Sequence, residues 1–420
     1  MVRESFDADK AVTDLVMTDD VEKKKGFAER IFDAAASVGA YPASVYEFYK
    51  ARGRGEFGGF TVPAVNLRTL TYDLARAAFR VAERNRSGAF VFEIARSEIG
   101  YTSQPPVEFA GIVMAAAVAE SYVGPVFIQG DHFQVNAAKF RENAEKEIAS
   151  LRTLISDAVE AKFYNIDIDS STLVDVSKPD LLEQQFLNYN VCAELTQFIR
   201  GIEPRTVRIS VGGEIGEIGH KNSTPEDLHA YMAGLNDRLG SGTPGISKIS
   251  VQTGTTHGGV VLPDGSMKTV DLDFDTLKTL SVVARREYGL AGAVQHGAST
   301  LPPEAFHKFV ECETAEVHLA TEFQNMVYES PHFPAELKKR IYEWLKVNAA
   351  NETKLGETEE QFLYKTRKKA LGPFKKEIMA LPKATREAIA GEVEKKFEFL
   401  FKQLNAVGKK DLVDKYTCPS

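Results

Sequence analysis

The chain has 420 residues, a formal net charge of −8 and a pI of about 5.7. That acidic balance excludes a broad electrostatic surface for nucleic acid or anionic membrane, while leaving room for a small basic pocket around a phosphate. Hydrophobic residues make up 43% and charged residues 26%, the proportions of a soluble globular protein. The three cysteines, Cys192, Cys312 and Cys418, form no CxxC pair, which argues against a disulfide framework or a structural zinc module and for a reducing compartment. The N-terminal MVRESFDADKAV mixes charges, unlike a secretory signal. No segment approaches the roughly 20 apolar residues of a membrane-spanning helix. The expectation is a cytoplasmic protein with no nucleic-acid and no membrane partner.

Residues 1–55 read as a polar, helical N-terminal extension, ending in the glycine-rich stretch around 52–59. Beyond it, short β-branched or aromatic runs alternate with longer stretches of helical periodicity. The strands expected are Phe60–Asn66, Ala89–Ala95, Pro125–Gly130, Phe163–Asp169, Val207–Gly212, Ser247–Gly254, Ala293–Gln295 and Glu316–Leu319. Helices are expected between them at Leu70–Arg84, Pro106–Ser121, Asn136–Ala161, Leu181–Ile199, Pro225–Leu239, Asp275–Glu287 and Pro303–Glu311. Parallel strands need crossover helices, so this alternation predicts an α/β fold with a parallel sheet. Eight units suit a closed (β/α)₈ barrel over 56–330, and FTVPAVNLRT lacks the glycine fingerprint of a dinucleotide-binding sheet. From Pro331 the strands stop. Pro334–Val347 and Ala384–Leu404 read as charged amphipathic helices of a C-terminal extension, 331–420, packed on the barrel or facing solvent or another subunit.

The chemistry is suggested by where histidines fall. Three of the eight stand where a strand runs into a loop: His132 after PVFIQGD, His257 in GTTHGG, and His296 in HGAS. In a barrel all strand C-terminal ends converge on one mouth, where active sites are built. Three imidazoles meeting there would hold a catalytic metal and leave a position for water or substrate. His229 and His307 fall inside expected helices and read as structural, whereas His220 and His318 lie near the expected mouth without an assigned role. No lysine stands at a late strand end, where a Schiff-base mechanism would need one.

These motifs, in this order, resemble those of the class II fructose- and tagatose-bisphosphate aldolases over roughly residues 44–380. GGFTVPAVN is similar to the family's first-strand segment, and GDHFQVN to its aspartate–histidine motif. GTTHGG and VQHGASTLPPE are similar to its later histidine motifs, whose glycines and serine bind phosphate. FYNIDIDSS and GGEIGEIG resemble the strands that carry carboxylates near the metal, and RKKALGPFKKEI the closing basic segment. The resemblance implies Asp131 as the acid/base and His132, His257 and His296 as ligands of zinc or another divalent metal. It implies Asp169 and Glu214 as further carboxylates on or beside that metal. Gly258, Gly297, Ser299 and Thr321 would line a phosphate site, and Arg367 would serve a substrate phosphate across a subunit boundary. It further implies a homo-oligomer, dimer or larger, acting on a small-molecule sugar phosphate in carbohydrate metabolism, with glycolytic fructose 1,6-bisphosphate as the default.

The implied reaction is retro-aldol cleavage, in which a Lewis-acid metal stabilises an enediolate and a carboxylate moves the proton. Several departures concern the substrate. Val317-His-Leu-Ala-Thr321 keeps only the threonine of the family's phosphate segment, and Ala95 stands where a serine is expected, with Ser97 nearby. The loop after the fifth strand reads His220-Lys-Asn-Ser-Thr, so that Glu226 or Asp227 would have to supply its acidic residue. A metal-dependent sugar or sugar-phosphate epimerase would use the same polarised carbonyl without releasing an aldehyde. A non-catalytic aldolase partner subunit would have less reason to keep three histidines and Asp131.

Overall fold

The computed structural model describes residues 6–216, 221–254 and 272–417. Nine strands run through the described residues: β1 Ala40–Ala43, β2 Val62–Asn66, β3 Val91–Ala95, β4 Gly124–Gln134, β5 Asn165–Asp169, β6 Ser210–Gly216, β7 Lys248–Val251, β8 Ala293–Gln295 and β9 Glu316–Leu319. All pairings are parallel, and β2 with β9 and β4 with β5 close β2–β9 into an eight-stranded (β/α)₈ barrel. The strands are covered on both faces: Val62–Asn66 and Val91–Ala95 read mainly as apolar runs, whereas Asn165–Asp169 alternates polar with apolar residues although all five are buried.

β1 lies in the segment expected to be helical. It pairs with the start of β4, where Phe127 faces both Ala43 and Val91, which sets β1 on the edge of β4 that β5 takes up further along. Asn165 ties it there, accepting from the Val45 amide at 2.9 Å and donating to Ala43 at 3.1 Å. The following helix, Tyr46–Gly53, seals the N-terminal end of the barrel with Phe48 and Tyr49 beside Phe60 and Val62.

Two expected helices are each broken in two. Asn143 separates Ala137–Glu142 from Ala144–Glu160 because its side chain caps the second piece, accepting from the Lys146 amide at 2.9 Å. Gln185 likewise divides Leu181–Gln184 from Phe186–Ile202. The helix Pro106–Ala119 is apolar all round because it is buried on two sides, against the barrel and under the helices Ala8–Met17 and Val21–Val38. Its Gly111 admits the Leu15 side chain, which would stand 2.7 Å from any Cβ there. The C-terminal helix Lys383–Gln403 lays Ile389, Val393, Phe397 and Phe401 toward the helix Thr71–Asn85, flanked by Arg80–Glu394 and Arg84–Glu398 pairs. No helix among the described residues is long and apolar enough to cross a membrane.

Candidate metal and acid/base site

The strand ends meet around a cavity of about 550 Å³ lined by Asp131, His132, His296, Gly297, Ser299 and Thr321 among others. A regular strand sends consecutive side chains to opposite faces. Asp131 and His132 nevertheless both reach the cavity, because β4 bulges between Gly130 and Phe133 in its register with β5. His132 takes a left-handed backbone with φ of 40°, a strained choice for a histidine. Gly130 permits the bulge: a Cβ there would stand 2.4 Å from the Phe133 ring.

β6 has a matching irregularity between Glu214 and Gly216 against β7. Gly216 has φ of 64°, and a Cβ on it would overlap Ser171 at 2.1 Å. Ser171 in turn donates to Asp169 at 2.7 Å. Asp169 Oδ2 and Glu214 Oε2 each lie 3.1 Å from His132 Nδ1, so both carboxylates grip the same ring nitrogen. That arrangement turns Nε2 toward the cavity, where Asp131 Oδ1 is 4.0 Å away. Orienting a histidine through its other nitrogen is the pattern carboxylates adopt behind a metal ligand.

His296 completes the cluster. Its ring centroid is 4.0 Å from that of His132, and its Nε2 lies 3.3 Å from Asp131 Oδ1. Burial, with His132 and His318 alongside, pushes the His296 imidazolium well below its ordinary range, so the ring is neutral. Burial opposes charge on Asp131, but His132 and His318 hold its carboxyl well below the usual carboxylate range. Burial and the Asp169 charge push Glu214 up to about 7 despite His132.

Asp131, Asp169 and Glu214 thus surround His132, and the group Asp131, His132 and His296 brings its donor atoms within 4.8 Å of one another. This donor-rich, cation-poor set fits a divalent metal. His257 and Gly258 lie outside the described residues.

Gly297, with φ of 69°, and Ser299 line the cavity wall after β8, and Thr321 begins the helix after β9. Ala95 and Ser97 both face the cavity. Arg367 does not reach it. Its guanidinium is buried against Asn325 at 2.5 Å and Glu329 at 3.0 Å and lies over the Tyr364 ring, and the basic side chain at the cavity is its neighbour Lys368. Asp227 caps its own helix, accepting from the Thr224 amide at 2.9 Å.

The sequence reading passed over several residues that the fold brings here. Arg68, Arg96, Lys139 and Lys368 give the cavity a basic wall. Arg68 is paired with Glu98 at 2.7 Å and Arg96 with Glu147 at 2.5 Å. Among the described residues neither lysine has a carboxylate within ion-pair distance. Beneath the cavity, Lys248 is buried inside the barrel, 2.5 Å from Glu316 and 2.9 Å from Asp167, so its amine is committed to carboxylates. His318 joins this layer to Asp131 at 3.1 Å. Its signal was present: Glu316 and His318 alternate with apolar residues in an otherwise buried strand, which points both inward.

The profile of the fructose-bisphosphate aldolase class-II family matches residues 53–405. No curated protein sequence matches the chain. Among solved structures, a probable tagatose 6 phosphate kinase from Sinorhizobium meliloti 1021 is similar at 15% identity and a TM-score of 0.60, covering 82% of this chain and 100% of that one. The fructuronate-tagaturonate epimerase UxaE from Cohnella laeviribosi is similar at 12% identity and a TM-score of 0.60, covering 91% and 86%. The fructose-bisphosphate aldolase Fba from Campylobacter jejuni is similar at 19% identity and a TM-score of 0.52, covering 88% and 97%. These likenesses concern the fold, whereas the profile spans most of the sequence: the chain belongs to the class II fructose-bisphosphate aldolase family.

Proposed function

We propose that the protein is an aldehyde-lyase that cleaves a ketose phosphate by a metal-dependent retro-aldol reaction. The observation that carries this reading is the meeting of Asp131 with His132 and His296 at the floor of a cavity with a basic wall. A divalent cation held by His132, His296 and, from the sequence motif, His257 would polarise the substrate carbonyl as a Lewis acid.

The residues supply the rest. Asp131, ionised among its imidazole neighbours, accepts the proton from the hydroxyl at the carbon–carbon bond being cut, and the bond's electron pair goes to the ketone fragment. In the reverse sense it returns that proton to the hydroxyl. Asp169 and Glu214 keep His132 oriented through Nδ1. Lys139 and Lys368, with Ser299 and Thr321, offer charge and hydroxyls to an anionic substrate group.

A screen of sugar phosphates in the presence of zinc, cobalt or manganese is expected to give free aldehyde, which an epimerase would not release. Asp131→Asn is expected to lower kcat by about 10²–10⁴-fold on the substrate so found. Cleavage by Asp131→Asn at the wild-type rate would remove the acid/base role.

A further inference from the structure

His318 is the last inward-facing residue of β9 and is 4% exposed. Its Nδ1 lies 3.1 Å from Asp131 Oδ1 and 3.1 Å from Glu93 Oε2, and its Nε2 lies 2.6 Å from Glu316 Oε1. Glu316 is itself fixed. The same oxygen takes the Lys248 ammonium at 2.5 Å and the Gln129 amide at 2.9 Å, while its other oxygen accepts from the Tyr49 hydroxyl. The imidazole therefore links the hydrogen-bonded Glu316 to Asp131.

The contacts on Asp131 are one-sided. His318 Nδ1 and His296 Nε2 both meet Oδ1, at 3.1 and 3.3 Å, and His132 Nε2 is nearest to that same oxygen. Among the described residues Oδ2 takes no hydrogen bond, although Asp131 lines the cavity. His318 lies 4.2 Å from the His296 ring, with Asp131 and Glu93 at its Nδ1 and Glu316 at its Nε2.

We propose that His318 is a positioning residue for Asp131: braced from below by Glu316, its Nδ1–H holds Oδ1 so that Oδ2 is the oxygen presented to the substrate hydroxyl. This role rests on the aldolase reading of the cavity. It requires the donor at Nδ1 rather than a polar side chain of suitable volume, since a displacement of about 1 Å at the reacting atoms costs on the order of 10²-fold in rate.

Two amide variants separate the nitrogens. His318→Asn puts its amide nitrogen close to where Nδ1 stands, and His318→Gln puts it close to Nε2. His318→Gln is expected to lower kcat by about 10²-fold with KM and metal content unchanged, while His318→Asn stays within about 10-fold of wild type. In an Asp131→Asn background His318→Gln should change kcat by less than about 3-fold, because its effect passes through the group already removed. Equal activities for the two amides, loss of bound zinc, a rise in KM alone, or a full additional loss in the double variant would each overturn the role. If wild-type protein loaded with zinc cleaved no ketose phosphate, the aldolase reading would fall and this role with it. An active wild type with the variants in the wrong order removes only the role of His318.

Discussion

Lys248 and His318 show how much of this site depends on residues whose importance is set by depth. His318 was marked by its alternation, with Glu316, among apolar residues, whereas Lys248 is a single charge in a four-residue strand and carried no such mark. His132 and His296 were placed at the barrel mouth because each stands where an expected strand runs into a loop, and both line the cavity there. In the 3₁₀ turn Arg367–Ala370 the Arg367 guanidinium is buried beside Asn325 and Glu329, while its neighbour Lys368 lines the cavity. Lys248 carries a stability prediction. Lys248→Met keeps the length of the side chain but leaves Glu316 and Asp167 buried without their cation, and breaking such a pair costs about 3–5 kcal/mol. Denaturant unfolding at neutral pH should show a loss of that order, and a loss below about 1 kcal/mol would mean that the carboxylates are satisfied by other groups.

Element by element, the barrel was readable because short strand-like runs alternate with longer stretches of helical periodicity. Ala293–Gln295, Glu316–Leu319 and the helix Pro225–Leu239 fall where periodicity puts them. β1 was not readable, since Ala-Tyr-Pro-Ala is four residues long and becomes a strand only by pairing with β4. The bulge in β4 was equally hidden, because a register shift is a property of two strands. That bulge is what brings adjacent residues to one cavity, so it carries its own prediction. Gly130→Ala forces the Phe133 ring to move from a 2.4 Å approach, and its re-seating should swing His132 away from His296. The expected result is a folded protein that retains less than about half its metal; overpacking of this kind typically costs about 1–3 kcal/mol. Full metal occupancy in Gly130→Ala would show that the ligands are not aimed by the bulge.

At the scale of the molecule, the terminal segments and the barrel form one continuous set of contacts. Residues 40–53 plug the barrel floor, the helices Ala8–Met17 and Val21–Val38 cover Pro106–Ala119, and Lys383–Gln403 covers Thr71–Asn85. The Lys24 and Lys375 ammonium groups both meet the buried Glu108 carboxylate, at 2.5 and 2.7 Å, which links N-terminal, barrel and C-terminal segments at one residue. The chain carries a net charge of −8, yet Arg68, Arg96, Lys139 and Lys368 stand in the wall of the cavity that holds the histidines, where on the proposed function they would draw an anionic substrate. On the proposed function these histidines hold a metal. Elemental analysis of purified protein after incubation with zinc, beside His132→Ala and His296→Ala variants, tests it without knowledge of the substrate. About one ion per chain is expected in the wild type, as for a single catalytic site, with loss of that ion in both variants. Wild-type protein that takes up no zinc, cobalt or manganese, or variants that bind as much as the wild type, would contradict it.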